Sequence, residues 1–245
     1  MKKQTFTAIV LAAVFLSICL LGMILTNKPE PIREPVVLCY HLVKDKPCTE
    51  HSELFVKEKN FEAQLQWLCE HRYHFFFAGE EEAITGNSVV ITFDDGYVDN
   101  YETVFPLLKK YNARATVFIV TNHIGMPGCL SKSQIREMAD SGYVRFGSHT
   151  VTHRDMTMLS EAELRQELEQ SRNELAEITR MRVTTLSWPY GAYSEAAMQA
   201  AEPYFRSAYV LDQDPVSDSL YCIPRLRIAR NLGTDQFAQM MEAQK

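Results

Sequence analysis

The 245-residue sequence has little of what marks several classes of protein. Ten glycines and ten prolines are too few for a low-complexity chain, and no internal repeat is present. The sequence lacks a long run of lysine or arginine, and its net charge is −6, from 25 basic and 31 acidic residues. Because nucleic acids are bound through basic surfaces, these features argue against a nucleic acid partner. With 46% hydrophobic residues, the composition is that of a globular protein.

The six cysteines form no CxxC pair, which argues against a zinc site built from cysteines. Cys19 falls in the apolar N-terminal stretch, and five cysteines, an odd number, remain. These five are Cys39, Cys48, Cys69, Cys129 and Cys222. A disulfide between two loop cysteines would suit an extracellular protein, but the sequence does not assign the pairing.

The first 27 residues are set apart from the rest of the chain. Lys2 and Lys3 precede an uncharged stretch, Gln4 to Asn27, that is long enough to span a bilayer as a helix. It stays apolar to its end and lacks a clear cleavage signal, so we predict a single N-terminal transmembrane helix; a cleaved signal peptide is the alternative. In both cases the remaining chain is exported, either held at the cell membrane or secreted. Residues 28–35 predict a proline-rich stalk, and residues 36–245 fit one catalytic domain.

Short apolar runs alternate with helical patterns along residues 36–245. Strands are predicted at 36–40, 88–93, 115–120, 143–147, 184–187 and 206–210. Helices are predicted at 58–71, 101–111 and 131–141, and others start near 160, 194 and 234. This order predicts a parallel sheet with right-handed crossovers and slightly fewer units than an eight-fold barrel. The long helix that follows Ser160 is predicted to be a solvated cover helix without chemistry of its own.

Polar side chains follow four of the predicted strands, where parallel α/β folds place their active sites. The segments concerned are Tyr40-His41, DDGY at 94–97, SHTVTH at 148–153 and WPYG at 188–191. The spacing of His149 and His153 puts both imidazoles on one face of either a helix or a strand. Two histidines and a carboxylate are a recurrent ligand set for a divalent transition metal. The aspartate pair supplies one carboxylate more than this set needs, and the spare one is a candidate base.

The segments TFDDGY (92–97), SHTVTH and WPYG, in this order, resemble the first three motifs of the polysaccharide deacetylases, the NodB-homology domain of carbohydrate esterase family 4. The resemblance implies a distorted (β/α)7 barrel that removes acetyl groups from N-acetylated sugars with one divalent metal, zinc or else Ni, Co, Fe or Mn. It implies that Asp94 is the catalytic base and that the Tyr190 backbone N–H stabilises the oxyanion. The implied metal ligands are Asp95, His149 and His153.

Two positions depart from the family pattern. Many members have an arginine that orients the base where this chain has Ser187, and the usual late Leu-x-His motif, source of the acid histidine, is missing. VLCYH (37–41) and IPRLRI (223–228) are instead similar to the branch that deacetylates poly-β-1,6-N-acetylglucosamine. In that branch the first strand supplies the acid, which implies His41 in this role, with His123 as the competitor. We expect Arg225, or alternatively Arg227, to orient Asp94.

We therefore predict a monomeric, metal-dependent hydrolase that removes N-acetyl groups from an N-acetylglucosamine polysaccharide outside the cell. The aromatic residues Tyr97, Trp188, Tyr190 and Tyr193 offer flat faces to sugar rings or pack in the core. We expect Tyr97, Trp188 and Tyr190 to contact the substrate. The alternatives are an O-acetyl esterase or peptidoglycan N-deacetylase of the same fold, or a non-catalytic, membrane-tethered glycan-binding domain. The aspartate pair with two histidines argues against a binding domain, which needs neither a metal nor a spare base.

Overall fold

A computed structural model describes residues 34–45, 54–80, 86–211, 219–230 and 232–244. Within these ranges the strands are β1 (Val36–Tyr40), β2 (Leu42–Val43), β3 (Phe55–Val56), β4 (His74–Phe76), β5 (Ser88–Phe93), β6 (Ala115–Ile119), β7 (Val144–Ser148), β8 (Thr185–Ser187), β9 (Ser207–Tyr209) and β10 (Leu226–Arg227). The α-helices are α1 (Glu58–Glu70), α2 (Phe105–Tyr111), α3 (Lys132–Asp140), α4 (Glu161–Thr179), α5 (Glu195–Ala201) and α6 (Thr234–Glu242).

Eight of these strands form one sheet, in which every pairing is parallel. Its order is β10-β1-β5-β6-β7-β8-β9, and β4 also pairs with β5. Ile223, just before β10, bridges to Tyr209 in β9, so the chain around β10 touches both ends of the sheet. The sheet is thus curled into a parallel half-barrel, as the alternation of strands and helices predicted. A separate two-stranded sheet joins β2 and β3.

The core forms because the central strands are apolar on both faces and helices cover the outer face. Every residue of β5 and of β6 is buried, which is typical of strands in a parallel sheet. Helix α4 begins with a capping box, in which Ser160 and Glu163 satisfy each other's backbone N–H groups. The predicted apolar stripe of this helix, Leu164, Leu168, Leu175 and Ile178, is buried.

Some boundaries differ from the sequence prediction. The predicted helix at 101–111 is a π-helical turn, Asn100–Val104, followed by the α-helix α2. Strand β4 was not predicted, because its three residues, HFF, are too few to show a periodic pattern.

Residues 1–33, which contain the predicted membrane helix and most of the stalk, lie outside the described ranges. Among the residues that are described, no helix combines the length and the apolar character that crossing a membrane requires. Within the described ranges, no disulfide joins any two of the four cysteines Cys39, Cys69, Cys129 and Cys222; Cys48 lies outside these ranges.

Candidate active site

The polar segments that the sequence placed after strands meet at one end of the curled sheet. His41 follows β1, the aspartate pair follows β5, and His149 follows β7. Arg225 lies just before β10, whose strand partner is β1. The end of the sheet therefore collects an arginine, two aspartates and three histidines from segments far apart in sequence.

Asp95, His149 and His153 form a compact set of three potential ligands. The Nε2 atoms of the two histidines are 3.2 Å apart, and each is 3.6 Å from Asp95 Oδ1. Nitrogen and oxygen ligands held at about 2.0–2.2 Å from a tetrahedral zinc ion lie about 3.3–3.6 Å from one another. The spacing of the three atoms therefore fits a divalent transition metal.

The protonation of the two imidazoles also suits a metal. His149 Nδ1 is 2.8 Å from the carbonyl oxygen of Ser187, which only accepts hydrogen bonds, so Nδ1 carries the proton and Nε2 keeps its lone pair. Burial lowers the pKa of His153 to about 4, so His153 is neutral at neutral pH. Both Nε2 atoms are thus available as ligands.

The loop between the two histidines is irregular, which corrects the expectation of a helix or a strand. Thr150 and His153 both have positive φ, 67° and 56°. The Ser148 hydroxyl accepts a hydrogen bond from the Thr150 N–H, and the Thr150 hydroxyl accepts one from the His153 N–H. Side-chain hydrogen bonds to the backbone, rather than regular structure, bring the two rings together.

Asp94 is buried and held by Arg225 on both oxygens. Arg225 Nη1 donates to Oδ1 at 2.8 Å, and Nη2 donates to Oδ2 at 2.7 Å. Two neighbouring hydroxyls also bind this pair: the Ser187 hydroxyl donates to Asp94 Oδ2 at 3.1 Å, and the Thr92 hydroxyl accepts from Arg225. Burial raises the pKa of Asp94, but the guanidinium of Arg225 outweighs it and holds that pKa far below its usual range. Asp94 is therefore a charged carboxylate of fixed direction.

Of the two predicted arginines, Arg225 contacts Asp94, while Arg227 is exposed on β10. Ser187 occupies the position where many family members have an arginine, and its hydroxyl joins Asp94 to Arg225 Nη2 at 2.8 Å. The sequence analysis did not anticipate this contact of Ser187.

His41 is buried beside Asp94 and is 8% exposed. A ring nitrogen of His41, Cys39 Sγ and an Asp94 oxygen all lie within 4.8 Å of one another. Burial lowers the pKa of His41, and the charge of Asp94 opposes that change. The competitor, His123, is half-buried.

The predicted aromatic residues differ in their exposure. Tyr190 is 66% exposed, has a left-handed backbone with φ 60°, and its ring centroid lies 4.6 Å from that of His153. Tyr97 is half-buried, and its hydroxyl lies near Asp95. The prediction for Trp188 is wrong: it is fully buried, and its indole N–H donates to the Tyr221 carbonyl, so its ring is not available to a sugar.

Comparison with known proteins agrees with this geometry. The polysaccharide deacetylase family model matches residues 82–204, just over half of the chain. The chain is 29% identical over 230 residues to YxkH of Bacillus subtilis, which covers 90% of this chain and 79% of that protein. It is 27% identical over 196 residues to the poly-β-1,6-N-acetyl-D-glucosamine N-deacetylase of Staphylococcus aureus, covering 71% and 68% of the two chains.

Among solved structures, the deacetylase PplD of Streptococcus pyogenes in complex with acetate is similar, with a TM-score of 0.78 and 25% identity. That match covers 86% of this chain and 99% of PplD. The chain therefore belongs to the polysaccharide deacetylase family, carbohydrate esterase family 4, and is a hydrolase that acts on amide bonds.

Proposed function

We propose that this protein is a metal-dependent N-deacetylase of an N-acetylglucosamine polysaccharide, with its sheet forming a distorted (β/α)7 barrel. The observation that carries the proposal is the pairing of two different carboxylates. Asp95 lies in a three-ligand set with His149 and His153, whereas Asp94, one residue earlier, is held by Arg225 only 3.9 Å from His149 Nε2. A base therefore stands beside a ligand set, as hydrolysis of an amide requires.

Asp95, His149 and His153 would hold the ion, with zinc as the first candidate and Ni, Co, Fe or Mn as alternatives. The chemistry that a divalent cation supplies at this set is Lewis acidity, which lowers the pKa of water and polarises the acetamide carbonyl. We assign proton acceptance from the attacking water to Asp94. Its lowered pKa makes it a weak base, so it needs an acidified water, while the Arg225 clamp fixes the direction of its oxygens.

The remaining groups act on the substrate itself. We assign the backbone N–H of Tyr190 to the developing oxyanion, because its ring lies against His153 and thus beside the ligand set. We assign His41 as the acid that protonates the departing amine, which leaves poorly while it is unprotonated. Its place beside Asp94 supports this role. The products are acetate and a free amino sugar.

The names of the relatives support the proposed substrate class. The Staphylococcus aureus relative is named for poly-β-1,6-N-acetyl-D-glucosamine, and the similar structure of PplD holds acetate, the product expected here. We also propose that residues 4–27 hold a monomeric protein at the cell membrane with its catalytic domain outside. Protease treatment of intact cells followed by fractionation tests this: a cytoplasmic, protected form contradicts it, and a secreted form that starts near residue 28 favours cleavage.

Acetate release by the purified protein across a panel of polymers tests the enzymatic proposal. We expect release from poly-β-1,6-N-acetylglucosamine that stops after chelation and returns with added zinc. Release from acetylated xylan alone would favour an O-acetyl esterase, and release from peptidoglycan alone would favour a peptidoglycan N-deacetylase. Glycan binding without release from any polymer would favour a binding domain.

A further inference from the structure

Glu167 is a charged residue on the buried face of helix α4. It lies beside Leu164 and Leu168, which are both buried, and it is itself only 3% exposed. A buried carboxylate is costly unless hydrogen bonds replace its water. The hydrogen-bond partners of Glu167 therefore indicate its role.

Those partners belong to the loop that carries the two histidines. Glu167 Oε2 accepts the backbone N–H of Val151 at 2.8 Å and that of Thr152 at 2.9 Å. Its other oxygen accepts the Thr152 hydroxyl, and Arg154 Nη2 lies 3.4 Å from it. Glu167 thus holds Val151 and Thr152, which lie between His149 and His153 in the ligand loop.

Two residues of this loop have an unfavourable backbone conformation. Thr150 and His153 have positive φ values, which residues other than glycine rarely adopt. Two consecutive N–H groups that point to the same carboxylate oxygen fix the turn between these positions. A second inward residue of α4, Ser171, hydrogen-bonds to the Ser148 hydroxyl at 2.7 Å, so the helix contacts the loop on both sides of His149.

We propose that Glu167 is a positioning residue that sets the loop in its metal-binding form before the metal arrives. The inference rests on the function proposed above, because it takes Asp95, His149 and His153 as the ligands. Without Glu167, the loop would sample other backbone conformations, and part of the binding free energy of the metal would be spent on ordering it. Groups that orient metal ligands typically contribute about 10–100-fold to metal affinity.

The experiment compares full-length Glu167→Gln and Glu167→Ala with the wild type and with Glu163→Gln. Glu163 is a matched control on the same helix: it is exposed, and it also pairs with Arg154, at 3.0 Å, but it makes no bond to the loop backbone. Zinc affinity is measured by competition with a chelator, and the Co²⁺ form is examined by absorption spectroscopy. Amide hydrogen exchange of Val151 and Thr152 is measured in the metal-free proteins.

We expect Glu167→Gln to bind zinc about 10–100-fold more weakly than the wild type, and Glu167→Ala to bind it more weakly still. Glu163→Gln should bind zinc like the wild type. The two loop amides should exchange faster in both Glu167 variants, and excess zinc should restore their deacetylase activity.

A Glu167→Gln protein that is less stable to heat yet binds zinc like the wild type would overturn the inference, because Glu167 would then only join helix to loop. An equal loss of affinity in Glu163→Gln would overturn it as well. Both results would leave the proposed function intact. A wild-type protein that binds no divalent metal would instead remove the proposed function, and this inference with it.

Discussion

Asp94 and Asp95 are neighbours in sequence, but they face opposite surroundings. Asp94 continues the direction of β5, and its side chain meets the same guanidinium as Thr92, two residues earlier on the same face of the strand. Asp95 leaves the strand with φ 72° and turns toward His149 and His153. One step along the backbone therefore separates two carboxylates into two environments.

The difference lies in what neutralises each charge. Asp94 has a buried arginine on both oxygens, so its charge is already balanced within the protein. Within the described ranges, Asp95 forms no ion pair with a lysine or arginine, and its neighbours are two imidazoles and the Tyr97 hydroxyl. Asp95 has no cationic side chain beside it and lies next to two imidazole nitrogens, so it is suited to bind a metal cation. Asp94 is already paired with Arg225, so it is suited to act as a base instead.

The largest effects should come from exchanging each carboxylate for its amide. Asp94→Asn should retain its metal and lose about 10²–10⁴-fold in acetate release, because it removes the proton acceptor but no ligand. Asp95→Asn should lose its metal. Elemental analysis and acetate assays of both variants check this. If Asp94→Asn lost the metal and Asp95→Asn kept it, the two roles would have to be exchanged.

Removing the cation that balances Asp94 should have the next largest effect. Arg225→Met leaves a buried carboxylate unpaired and should lower the free energy of unfolding by about 3–5 kcal/mol. Because the pKa of Asp94 is lowered in the wild type, the pair stabilises the fold above the ordinary pKa of aspartate, and this stability is lost only as pH falls through the lowered value.

Without Arg225, burial is the dominant influence on Asp94 and raises its pKa, so the acidic limb of kcat/KM should move to higher pH. Arg225→Lys keeps the positive charge but not the bidentate contact. It should be more stable than Arg225→Met, and its acidic limb of kcat/KM should shift less. Chemical unfolding and pH profiles of the two variants measure both effects. A profile of Arg225→Lys or Arg225→Met identical to that of the wild type would contradict the proposed clamp.

Much of this site was predictable from sequence, for a physical reason. The apolar runs that end at Asp94 and His149 are long enough to be recognised as buried strands, and the carboxyl ends of parallel strands meet. Trp188 was misjudged because a residue next to a strand end points inward or outward according to local backbone geometry, which the sequence does not show. Its indole in fact donates to a backbone carbonyl.

The partners of the site residues were harder to predict. Arg225 was a candidate only through a resemblance, since 131 positions separate it from Asp94 and only the folded sheet joins them. Helix α4 was predicted to be a cover helix without chemistry, which overlooked Glu167. A signal for it exists, because a charged residue on the apolar face of an amphipathic helix requires a buried partner.

Variants of His41 test the proposed acid, which lies beside Asp94. His41→Ala should bind metal normally but hydrolyse natural amides about 10²–10³-fold more slowly, because an amine leaves only when protonated. Activated aryl acetate esters, whose leaving groups need no proton, should lose less than about tenfold. Kinetics on both substrates with metal analysis check this. An equal loss on both would indicate a structural role, and an unaffected amide rate would transfer the role to His123.

The smallest effect is expected at Ser187, which contacts both the base, Asp94, and the proposed metal ligand His149. Its hydroxyl donates to Asp94, whereas its backbone carbonyl accepts from His149 Nδ1. Ser187→Ala removes the contacts of the hydroxyl with Asp94 and Arg225 but keeps the carbonyl contact with His149. The metal should therefore stay bound, while acetate release falls about fivefold, as expected for a loss of about 1 kcal/mol. Because Arg225 still holds both oxygens of Asp94, the loss should not exceed that of Arg225→Lys. Metal analysis and kinetics of the two variants decide the point: a larger loss in Ser187→Ala would mean that the hydroxyl, rather than the guanidinium, sets the direction of the base.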